Sequence, residues 1–116
     1  MEDFMFIFIG GEDKLLQLSP AEMESHMGKW FSWVGEMTER GQYKGGHPLK
    51  HEGRGIAGKN KVVTDGPFSE LKDLIGGYMI ICAENLDRAV EIGKDCPVFE
   101  FDGKVEIRPI NPLEGQ

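Results

Sequence analysis

Apolar positions fall into a few dense runs separated by polar, glycine-rich chain. The first is Phe4-Met5-Phe6-Ile7-Phe8-Ile9, closed by Gly10-Gly11. Its shortness, its aromatic rings and the glycine stop predict a strand. Odd and even positions are both apolar, so both faces of that strand are expected to be covered. Ser19-Pro20-Ala21-Glu22 then marks a helix start, with Ser as N-cap, Pro in the first helical position and Glu in the third. Met23, Met27, Trp30, Val34 and Met37 recur at helical spacing from there, with Phe31 and Trp33 beside them, towards a stop at Gly41. At about 100° per residue, His26 falls at one edge of this apolar face, near Trp33 and Met37.

Between Gly41 and Thr64 the chain is polar and rich in glycine. Gln42 to Leu49 predicts a strand that Pro48 makes an edge strand or an irregular one. Gly53 to Gly58 reads as a hairpin loop and Lys61 to Thr64 as the returning strand, with the nearby lysines protecting an edge. Asp65-Gly66-Pro67 breaks the chain, and Ser69 to Leu74 predicts one helical turn. Gly76-Gly77 opens a second continuous apolar strand, Tyr78 to Ala83. Asn85 caps a helix with Leu86, Ala89, Val90 and Gly93 on one face, ended by Pro97. The last strand, Val105 to Ile110, alternates Val105 and Ile107 with Glu106 and Arg108. This order fits an α+β fold, a ferredoxin-like βαββαβ antiparallel sheet with both helices on one face. Two helices cover one face only, and an open face that apolar exceeds what soluble monomers usually tolerate. A homodimer with the two sheets face to face is therefore expected.

Composition narrows the class without naming a chemistry. The 116 residues, 40% hydrophobic and 28% charged, predict one globular domain spanning residues 1–116. Thirteen cations against 20 anions leave −7, which argues against nucleic acid or an anionic membrane as partner. No run approaches the roughly 18 apolar residues that span a bilayer. The start Met1-Glu2-Asp3 is acidic and the first apolar run is short, which is unlike a secretory signal. Cys82 and Cys96 belong to no paired-cysteine motif, which suggests reduced thiols in a cytoplasmic protein; a single disulfide is the alternative.

Two motifs invite chemistry that their context refuses. Gly53-Arg54-Gly55-Ile56-Ala57-Gly58 spells a dinucleotide fingerprint, but a strand-like stretch follows where a helix N-terminus is required. His47 and His51 have the spacing of a zinc-binding helix pair, yet Pro48 and Gly45-Gly46 deny them a helix. They read as solvated loop histidines, and neither metal nor cofactor is expected. Three positions remain. His26 is either a boundary histidine bonded to backbone or a general base. Asp65, at a strand end before Gly66-Pro67, either caps local amides or is aimed into a pocket beside Phe68 and Ser69. Arg108 either binds an anionic ligand or makes a cross-strand ion pair.

The stretch Val62-Val63-Thr64-Asp65-Gly66-Pro67-Phe68-Ser69-Glu70, then Lys72 and Ile75-Gly76-Gly77-Tyr78, resembles the DGPF signature of the YCII-related family. The likeness continues through Cys96-Pro97 and the closing Gly103-Lys104-Val105-Glu106-Ile107-Arg108-Pro109-Ile110. The resemblance implies a ferredoxin-like subunit of a dimeric α+β barrel. It also implies a His–Asp active site in some branches, and one branch holds a dehydrochlorinase of a chlorinated aromatic. The motif aspartate falls on Asp65, and His26 is the candidate histidine. Family members are often encoded beside extracytoplasmic-function sigma factors.

Two expectations follow. In the first the protein is a cofactor-independent acid–base enzyme for a small, cyclic or aromatic acid. Asp65 and His26 are its acid–base pair, Ser69 a donor, Trp30 and Phe68 pocket walls, and Arg108 an anion contact. In the alternative it is a non-catalytic ligand-binding or regulatory accessory module with a sigma-factor link.

Overall fold

Strand β1 (Glu2–Ile9) alternates as its sequence requires: Phe4, Phe6 and Phe8 are buried, while Met5, Ile7 and Ile9 on the other face are half-buried. Gly10 and Gly11 end it at φ 76° and 81°, a region that disfavours side chains with a Cβ. The computed structural model describes residues 1–67 and 70–113. A short helix α1 (Glu12–Leu15) follows, then the long α2 (Pro20–Glu39). Ser19 accepts from the Glu22 amide and Glu22 from the Ser19 amide, so the capping box expected from the sequence is formed.

Strand β2 (Tyr43–Pro48) pairs antiparallel with β5 (Ile75–Ala83), β5 with β1, and β1 with β6 (Lys104–Pro109). The sheet order is β2-β5-β1-β6, the ferredoxin-like arrangement, with α3 (Leu86–Gly93) preceding β6. Between β2 and β5 the chain inserts a separate two-stranded sheet, β3 (Gly55–Ala57) with β4 (Val62–Thr64). This corrects the expectation that Gly53 to Gly58 is a hairpin loop. Gly55 to Ala57 is itself a strand, the turn is Gly58 to Lys61, and Val62 to Thr64 returns on β3 instead of on β2. Beta-branched Ile56 and Val63, paired opposite each other, carry the ladder through a stretch whose glycines suggested loop. The helical turn expected from Ser69 is seen at Leu71–Asp73, and Ser69 itself lies outside the described residues.

Both helices cover the same sheet face. Trp33 and Met37 of α2, Ala89 and Ile92 of α3, and Phe4, Phe6, Met79 and Ile81 form one core, with Val105 and Ile107 of β6 packed against it. Phe4, Phe6 and Ile81 are fully buried, and each contributes roughly 1.5–3 kcal/mol by leaving water. Helix α2 is rotated relative to the methionine stripe: His26, Trp33 and Met37 face inward, whereas Met27 and Phe31 are exposed. In α3 the inward residues are Ala89, Ile92 and Gly93, so Leu86 and Val90, expected there, point outward. On α3 a small residue permits the close approach to the sheet. At Gly93 a Cβ would press on Ile107 and Phe6. Cys82 and Cys96 are free, buried thiols, and burial pushes the Cys96 thiol up to about 12.

Gly46 of β2 lies so close to β5 that a Cβ there would collide with the Tyr78 carbonyl and sit 2.6 Å from the Met79 Cβ. Gly46→Ala should therefore lower unfolding free energy by about 1–3 kcal/mol, read as a reduced urea midpoint at unchanged slope. Gly28→Ala, where a Cβ meets nothing, should not destabilise.

Candidate functional site

The first turns of α2 carry His26 to the end of β1, under the 3-10 turn Pro97–Phe101. The imidazole is 4% exposed, so it is a core group and not the boundary residue that its place on the helical wheel suggested. Trp30, one turn on, donates its indole N–H to Nε2 at 3.0 Å. Nε2 is thereby an acceptor, and the ring proton sits on Nδ1, which donates to Glu100 Oε1 at 2.7 Å. Glu100 Oε2 is paired with Lys29. Phe101 meets the ring edge-on at 5.0 Å, and Trp30 stands perpendicular to Phe8 at 5.1 Å.

The surroundings of the imidazole disfavour its protonation. Its pKa lies below the ordinary value near 6.5, first because burial disfavours the cation and second because Lys29 repels it. The indole N–H on Nε2 acts in the same direction, because it occupies the lone pair that a second proton would need. What remains is an imidazole–carboxylate pair flanked by the rings of Trp30 and Phe101, with the half-exposed Lys29 on the outer carboxylate oxygen.

Glu100, which the sequence pattern did not single out, is the carboxylate that meets His26. Asp65 is not: it is exposed beyond β4 and makes no side-chain hydrogen bond or ion pair among the described residues. Beside it, Thr64 Oγ1 bonds the Gly55 amide at 3.0 Å and the Gly66 carbonyl at 2.9 Å, which fixes the turn. Phe68 and Ser69 lie outside the described residues. Trp30, expected as a pocket wall, is half-buried against His26. Arg108 lies on the other face of the sheet, opposite Met5, exposed and without the ion pair expected for it among the described residues. The only signal for Glu100 was an acidic residue shortly after Pro97, too common a feature to mark a partner 74 positions from His26.

His47 on β2 is exposed and His51 partly so, as expected, and each also has a side-chain partner. His47 Nδ1 is 3.0 Å from the Tyr78 hydroxyl, directly across the β2–β5 ladder. His51 Nε2 is 2.9 Å from Glu12 Oε2, and Glu12 lies over Gly76, where any Cβ would collide with its carboxylate. Each has a different partner, and no group of three metal-ligating side chains occurs among the described residues. The Gly53 to Gly58 motif lies on β3 and its flanks, with no helix after it. No helix among the described residues is long and apolar enough to cross a membrane.

The sequence profile of the YCII-related domain matches residues 35–114. No curated protein matches the chain. Among solved structures, 5-chloro-2-hydroxyhydroquinone dehydrochlorinase from Burkholderia phenoliruptrix, in complex with 2,5-dihydroxybenzoquinone, is similar at 12% identity and a TM-score of 0.48; the match covers 94% of this chain and 93% of that one.

The neutral His26 ties stability to pH with a definite sign. Below about pH 6.5 the unfolded chain binds a proton at His26 that the folded chain resists. The contribution is therefore complete above that pH and is lost as pH falls towards the lowered folded value. Denaturation of the wild type between pH 7 and 5 should include a positive slope of at most about 1.4 kcal/mol per pH unit that His26→Gln removes.

Proposed function

The chain belongs to the YCII-related domain family, and from that premise we propose a cofactor-independent acid–base enzyme for a small, aromatic acid, working as a homodimer. The observation that carries the reading is the His26–Glu100 pair, a buried imidazole whose Nδ1–H is held at 2.7 Å by a carboxylate. A carboxylate in that place fixes the tautomer and stabilises the imidazolium that forms when Nε2 takes a proton. Glu100 assumes the part that the sequence had assigned to Asp65. The substrate reaches Nε2 when the Trp30 indole turns aside, and the freed indole N–H can then bond an anionic oxygen. Trp30 and Phe101, both only half-buried, would offer aromatic surface to a flat ligand, and Lys29 a cation to its carboxylate. Proton abstraction next to a carbonyl, or abstraction followed by loss of an anion from the neighbouring carbon, needs nothing more than such a base and a stabilised anion.

The homodimer reading is supported by the sheet's open face. Met5, Ile7 and Ile9 of β1 and Tyr78 and Ile80 of β5 are only half-buried there, opposite the face that the helices cover.

One observation favours a second reading, the non-catalytic binding module: both nitrogens of His26 are already bonded within the protein. Hydrogen–deuterium exchange into small carbon acids separates the two readings before any substrate is identified. A panel of aromatic and cyclic keto and hydroxy acids in D2O, followed by proton NMR, should show protein-dependent exchange in at least one member. His26→Gln should slow it 100-fold or more, and Glu100→Gln by a lesser factor. Exchange that is unaffected by His26→Gln, or absent across the panel, would contradict the enzyme and favour the module.

A further inference from the structure

The β3–β4 hairpin stands apart from the body that the rest of the chain builds. Its three-rung ladder joins no other strand, and it exposes Ile56 to 66%, Val62 to 62% and Val63 to 56%. Ile56 and Val63 are paired and so share one face, while Val62 lies on the other. A two-stranded sheet this short is marginal in water unless something packs on it. The overall dimensions agree. The radius of gyration is 15.9 Å and the extents are 47 × 43 × 19 Å, against a radius of about 13 Å for a compact chain of this length.

The root of the hairpin is fastened. Leu49 N–H bonds the Gly76 carbonyl at 2.8 Å, His51 meets Glu12 at 2.9 Å, and Gly53 lies against the Pro67 ring. Such a base holds the ladder out from the body in a set direction, which lowers the entropy lost when it docks.

Charge identifies what it docks on. From Lys50 to Asp65 the chain carries Lys50, Arg54, Lys59 and Lys61 against Glu52 and Asp65, a net +2. The whole chain is −7, so the remainder carries −9. A basic, apolar-tipped projection on an acidic body complements the body of another copy of the same chain, and like charge opposes it only at the other projection. We infer that the β3–β4 hairpin is a docking arm that packs against the body of a second copy of this chain. The inference rests on the homodimer reading above and extends it: the dimer is closed by reciprocal arms as well as by the open sheet faces.

Sedimentation equilibrium over a concentration series tests it with three variants. Ile56→Asp with Val63→Asp removes the apolar rung, and Lys59→Glu with Lys61→Glu reverses the tip charge without touching it. Each should raise the dimer dissociation constant at least tenfold, and raising salt from 0.1 to 0.5 M should weaken the wild type more than the charge-reversed protein. Wild-type dimerisation in the charge-reversed variant, or in the Asp variant with its circular dichroism intact, would overturn the arm. If Ile7→Asp on the sheet face dissociates the dimer while the arm variants do not, the arm falls and the homodimer stands. A wild type that sediments only at 13.0 kDa would overturn both.

Discussion

β1 and β5 carry large apolar side chains on both of their faces, and one layer of helices can cover only one. The covered face is settled within the chain: Phe4, Phe6 and Phe8 interlock with Trp33, Met37, Ala89 and Ile92. The other face keeps Ile7 opposite Tyr78 and Met5 opposite Ile80, all of them only half-buried. Everything distinctive about the molecule follows from that asymmetry. The helices must lie on one side, the site built on α2 must lie there with them, and the other side keeps its apolar side chains only half-buried.

The His26 cluster shows how the covered side turns packing into chemistry. An imidazole carried into an aromatic core by a helix needs partners for both nitrogens, because a buried polar atom left unpaired costs about as much as a lost hydrogen bond. Trp30 from the same helix and Glu100 from the turn before β6 supply them. Lys29 then balances the carboxylate, so that the cluster is neutral as a whole. That arrangement stabilises the fold, and under the proposed function it would supply the base and a neighbouring cation once Trp30 turned aside. The same three contacts thus serve both the structural and the proposed catalytic part.

Much of the fold was legible in the residues. Phe4 to Ile9 and Tyr78 to Ala83 declared themselves as strands by length and composition, Ser19-Pro20-Ala21-Glu22 declared its helix, and Val105 and Ile107 showed which face of the last strand looks inward. Less was legible where tertiary partners decide. The inward face of α3 depends on where the sheet lies, so Ile92 replaced Leu86 and Val90. The glycines between Gly53 and Gly58 argued for loop, while the Ile56–Val63 pair, visible only once the register is known, made a strand. In the candidate site His26 and Trp30 were legible as residues of one helix, though His26 was read as lying near Trp33 and Met37 and its contact with Trp30 was not foreseen. Glu100 was not, since its link to His26 passes through space and leaves no spacing in the chain. Asp65 drew notice through its unusual Gly-Pro context, yet its surroundings in the single chain are a turn and solvent.

The central claim is that the bare sheet face is covered by a second copy. Isotope-filtered NOE spectroscopy on an equal mixture of labelled and unlabelled protein tests it at the atoms concerned. Intermolecular NOEs are expected from the methyl groups of Met5, Ile7 and Ile80, and none from those of Val105 or Ile107 on the helix-covered face. A spectrum in which the Ile7 and Ile80 methyls show contacts only within their own chain would contradict it.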